Sequence, residues 1–68
     1  MKVRFEDVGR QKKSWTAEVE EKDLNHSWLV KQVRKHGALM SQGIECIVEG
    51  NHGRIYAGMH SVGSIHIE

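Results

Sequence analysis

Sixty-eight residues bound this chain to one small domain, which buries only about 60 % of the surface its unfolded form exposes. Ten Lys and Arg against nine Asp and Glu leave a formal charge of +1, too balanced for a generic nucleic-acid or membrane binder. The single cysteine, Cys46, excludes an internal disulfide, and Cys2His2-type zinc spacing is absent.

Residues 2 to 8 alternate, with Val3 and Phe5 facing one way and Lys2, Arg4 and Glu6 the other. Residues 14 to 20 alternate as well, setting Trp15, Ala17 and Val19 against Thr16, Glu18 and Glu20. A loop around Gly9-Arg10-Gln11-Lys12-Lys13 joins them into a hairpin. The expected register sets Val3 opposite Val19 and Phe5 opposite Ala17, with Lys2–Glu20 and Arg4–Glu18 pairs on the outer face.

Residues 25 to 36 are the helix candidate. Asp23, Asn25 or Ser27 can cap its start, and Gly37 stands just beyond its end. Lys31, Arg34, Lys35 and His36 suit the carbonyl end of a helix dipole. At helical spacing Leu29, Val30 and Val33 share a face, while Trp28 falls on the far side near Lys31 and Lys35. Ala38-Leu39-Met40 and Ser41-Gln42-Gly43 then lead into the last third of the chain.

That last third reads as two successive hairpins. With Gly50-Asn51-His52-Gly53 as a loop, Glu49 pairs with Arg54, Val48 with Ile55, Cys46 with Ala57 and Ile44 with Met59. With Ser61-Val62-Gly63 as the second loop, Met59 pairs with Ile65 and Ala57 with Ile67. The predicted order is ββαβββ: an α+β fold in which one helix lies on an antiparallel sheet of about five strands.

Three groups of residues are candidates for function. Ile47 and Tyr56 pair on the outer face of the sheet, an apolar spot within a charged rim that suits a protein interface or a twofold homodimer. On the helix, Trp28 with Lys31 and Lys35 can anchor a protein partner, although a tryptophan in the first turn serves equally to cover the core. The third group, Arg10, Lys12, Lys13, Lys31, Arg34 and Lys35, makes a nucleic-acid surface if the hairpin loop and the helix form one continuous patch. The acidic stretch Glu18, Glu20, Glu21 and Asp23 opposes that reading.

No catalytic motif, metal signature or phosphate loop stands out, and Cys46 points inward as an inert thiol. His60 and His66 are expected to flank the last turn without a defined third metal ligand. No cofactor is implied. The apolar runs are too short to cross a bilayer, and the first residues carry no secretory pattern, so the expected location is cytoplasmic. In size and style the chain resembles the short stand-alone proteins of bacteria and their phages, many of which dock on a larger machine. The expected function is therefore a non-enzymatic protein-binding module: an inhibitor, adaptor or regulatory subunit.

Overall fold

A computed structural model describes residues 1–37 and 43–68. Strand β1 (Lys2–Val8) is followed by β2 (Lys13–Glu18), a 3-10 turn (Glu21–Asp23) and helix α1 (His26–His36), then by β3 (Ile44–Glu49), β4 (His52–Ala57) and β5 (His60–Ile67). The strands form one antiparallel sheet in the order β2-β1-β5-β4-β3, with the helix on one face. This is the ββαβββ arrangement that the sequence predicts. The lead-in at residues 38 to 42 lies outside the described residues.

Of the three capping candidates, Asn25 is the one used: its Oδ1 accepts a hydrogen bond from the Trp28 N–H at 2.9 Å. At the other end the Gly37 N–H donates to the Val33 carbonyl, and Arg34, Lys35 and His36 occupy the last turn. Leu29 and Val33 project onto the sheet. There they meet Val3, Phe5 and Val8 of β1, Ile44 and Cys46 of β3, Ile55 of β4 and Ile65 of β5. Every buried side chain among the described residues is apolar or a thiol. Each large aliphatic one contributes roughly 1.5–3 kcal/mol by leaving water. Trp15 extends this core over the edge strand β2, stacking on Phe5 with ring centroids 4.7 Å apart.

The registers differ from expectation in each hairpin. In the first, Lys2 pairs with Glu18, Val3 with Ala17 and Phe5 with Trp15, so the expected Lys2–Glu20 and Arg4–Glu18 pairs do not form. A bulge between Phe5 and Val8, with Asp7 at φ 55°, takes up the difference. In the second, Glu49 pairs with His52, Cys46 with Ile55 and Ile44 with Ala57, around a two-residue turn at Gly50-Asn51. In the third, the turn is Gly58-Met59 and Ser61-Val62-Gly63 belongs to β5. Met59 therefore sits 97 % exposed at a turn tip, where an inward side chain was expected.

Both turns place a glycine first, at φ 64° for Gly50 and 66° for Gly58, while the residue after each keeps a negative φ. That sign pattern belongs to the type II′ hairpin turn, whose twist matches the strands it joins. The slips at the first two hairpins are of two residues, an even number, so no side chain changes face. Of the three residues expected beneath the helix, Cys46 and Ile55 are buried there and Ile67 is half-buried against the same core, while Tyr56 lies on the opposite face as expected.

Candidate functional site

The face of the sheet away from α1 carries no covering element among the described residues. Its side chains line up in rows across the strands. One row runs Thr16, Arg4, His66, His52, Glu49, and the next runs Glu6, Ser64, Arg54, Ile47. Tyr56 follows, opposite Glu45 on one side and Ser61 on the other. Ile47 and Tyr56 are thus diagonal neighbours; the directly opposed pair expected from the sequence is replaced by Ile47–Arg54 and Glu45–Tyr56.

The two halves of this face differ in character. On β1 and beside β5, Arg4 is paired with Glu6 and Glu68, while Lys2 takes part in no ion pair among the described residues. Arg4 Nε lies 3.1 Å from Glu6 Oε1, an Arg4 amino nitrogen lies 3.6 Å from Glu68 Oε1, and His66 Nε2 lies 3.8 Å from Glu6 Oε1. Exposed pairs of this kind are worth about 0–1 kcal/mol each. On β3 and β4, Ile47 is 52 % exposed, Tyr56 is half-buried, and both line a shallow depression with Glu49, His52 and Arg54. Among the described residues Arg54 takes part in no ion pair.

The helix candidates are arranged otherwise. Trp28 is half-buried against the core, tilted on Phe5 at a centroid distance of 6.2 Å, and does not stand clear on the far side of the helix. It also lines a groove with Lys31, Glu18, Glu20, Lys22 and Asp23. Lys31 accordingly sits among acids. Lys35 and Arg34 are exposed in the last turn of α1, and Lys13 is exposed at the start of β2. Arg10 and Lys12 line a separate groove, in the company of Arg54, Asp7, Ser61 and Ser64. Arg54 borders both that groove and the depression holding Ile47 and Tyr56.

Strand alternation alone does not reveal that Arg54, Ser61 and Ser64 share a groove with Arg10 and Lys12. Gly58 was the available signal: a Gly-X turn at 58–59 moves Ser61 to Ser64 into β5, beside β1.

Burial pushes the Cys46 thiol from 9.0 up to about 11, which leaves it protonated and unreactive near neutral pH. Its backbone N–H, on the free edge of β3, donates to His26 Nε2 at 3.3 Å. His66 stands opposite His52, while His60 lies at the hairpin tip opposite Ala57, so the two histidines expected near one another are separated. Among the described residues no three His, Cys, Asp or Glu side chains gather as a metal site, and no helix is long and apolar enough to cross a membrane. Compared with protein-family models, with curated proteins and with solved structures, the chain finds no match.

Proposed function

We propose that this chain is a non-enzymatic protein-binding module that docks on a larger protein through the uncovered face of its sheet. The observation carrying this reading is the contrast between the two halves of that face. Where Arg4 on β1 is paired with Glu6 and Glu68, β3 and β4 leave Ile47 exposed beside Tyr56 and Arg54 without an ion-pair partner among the described residues. An apolar centre with an aromatic and an arginine at its rim is the composition of an interface hot spot. Trp28 with Lys31 and Lys35 is the lesser candidate, because Trp28 is largely committed to the core.

A second copy of the chain is one partner that fits. Glu45 and Glu49 flank Ile47 on β3, and His52 and Arg54 lie alongside on β4. A twofold axis near Ile47 would set each acidic stripe against the other copy's basic stripe. A cytoplasmic location belongs to the same proposal, supported by a free cysteine kept inside the core. The nucleic-acid reading has narrower support: Arg10 and Lys12 share a groove, but Lys31 lies among Glu18, Glu20 and Asp23.

The test is affinity purification of the tagged chain from its native cell, with Ile47→Lys and Tyr56→Lys in parallel, and light scattering on all three. The expected result is a stoichiometric protein, or a dimer mass, that both variants lose while keeping the wild-type melting temperature. Nuclease-sensitive recovery, or partner capture indifferent to both substitutions, would overturn the reading.

A further inference from the structure

We infer that the groove bordered by Arg10, Lys12 and Arg54 is a binding site for a compact oxyanion of the phosphate class. It goes beyond the docking reading, and the groove shares with the depression that holds Ile47 and Tyr56 the single residue Arg54.

Two irregularities of the sheet build the groove. The bulge in β1 turns Asp7 to φ 55°, and the hairpin loop that follows holds Gly9 at φ 78° and Lys12 at φ 50°. The register of β4 and β5 shifts between Ile55 and Tyr56, which leaves Val62 as the extra residue of β5. The Gly9 N–H donates to the Val62 carbonyl at 2.8 Å and ties the two irregularities together. Gly63 is required at this junction, since a Cβ there would stand 2.9 Å from Val8 Cγ2 and 3.2 Å from the Glu6 carbonyl oxygen. Bulges re-aim side chains that a regular ladder would splay along its strands. Here Arg10 and Lys12 of the loop line one groove with Arg54, and Ser61 and Ser64 belong to the same wall.

The chemistry of that wall is specific. Two guanidinium groups offer forked N–H donors, one ammonium adds a point charge, and two hydroxyls can donate further hydrogen bonds. Asp7 is the one acid lining the groove, so the cations exceed it by two. Among the described residues none of the three cations forms an ion pair. A carboxylate carries half that compensating charge, whereas a phosphate monoester carries about −1.5 to −2 near neutral pH. A long polyanion fits less well. Glu45 and Glu49 lie on the strand beyond Arg54, and Lys31 is in another groove among acids, so the positive field is local.

The test is an amide NMR titration of the intact chain with inorganic phosphate, against sodium chloride at matched ionic strength. Saturable shifts should appear at Gly9, Lys12 and Ser61 to Ser64 with phosphate and not with chloride. Arg10→Ala and Arg54→Ala should each weaken binding by about tenfold, and Asp7→Asn should tighten it. Arg10 and Arg54 are exposed, so both variants should keep the wild-type spectrum elsewhere. Arg10→Ala also leaves Ile47 and Tyr56 untouched, which separates failure of this site from failure of the docking face. A phosphoserine peptide binding more tightly than inorganic phosphate, with its unphosphorylated form silent, would place the group on a protein. Equal affinity would point to a free small phosphate, and either result upholds the site. Shifts shared with chloride, or unchanged in both arginine variants, would overturn it. So would an oligonucleotide without terminal phosphates that binds more tightly and spreads its shifts to residues 31 to 35, since that describes a strand-binding surface.

Discussion

The imidazole of His26, the first residue of α1, accepts the backbone N–H of Cys46, 20 residues later on the edge strand β3, at 3.3 Å. A donor that the ladder with β4 leaves free is thereby satisfied by a side chain, and the helix is fastened over the strand it covers. Edge strands with unmet donors invite pairing with other chains. His26→Ala should cost about 0.5–1.5 kcal/mol, read as a lower denaturant midpoint, and should quicken hydrogen exchange at the Cys46 amide. An unchanged exchange rate there would show that the contact has no weight.

Cys46 should report on opening of the core. With its thiol raised to about 11 by burial, modification by a thiol reagent at pH 8 should be far slower than for the unfolded chain. The linked stability has a definite sign. Because burial favours the protonated thiol in the folded state, that contribution is full below about pH 9 and disappears as the pH climbs through about 11. Cys46→Ala should flatten this alkaline decline, which urea melts at pH 8 and 10.5 would measure.

Two glycines should be costly to replace for different reasons. Gly50→Ala forces a side chain into φ 64° at an otherwise open turn, for a loss of about 1 kcal/mol. Gly63→Ala has no adverse φ but drives its methyl into Val8 and the β1 backbone, and roughly 1–3 kcal/mol is expected. Val8 is fully buried, so Gly63→Ala combined with Val8→Ala should still be destabilised, but by less than the sum of the two separate losses. In a domain this small each kcal/mol moves the melting temperature by about 4–8 °C, so calorimetry resolves all three variants.

Ile55 tests the inner face of the central sheet. It is fully buried, so Ile55→Val should cost about 0.5–1.5 kcal/mol and Ile55→Ala about 2–5 kcal/mol. Ile47→Ala, on the open face, should be close to neutral by the same thermal melts. Equal losses at the two positions would contradict the assignment of faces.

Alternation along the strands showed which side chains go inward except at Met59, which falls in the β4–β5 turn and is exposed. Val3, Phe5, Cys46 and Ile55 lie on the face expected, because a period of two survives any slip by an even number. The helix was legible from its own cap, its apolar spacing and its basic last turn. Partners across the strands were not. They follow from turn geometry, and Gly50-Asn51 closes two residues earlier than the four-residue loop that local composition suggests.

The joining of β1 to β5 lay further out of reach, since Val3 and Ile67 stand at opposite ends of the chain and no local pattern encodes their meeting. That contact makes β5 central and brings the bulges at Asp7 and Val62 together, so the arginine of β4 lines one groove with the cations of the first loop. Residue-by-residue preferences set which way each side chain faces. Long-range strand pairing sets its neighbours, because only the folded sheet brings distant backbone segments within hydrogen-bonding distance.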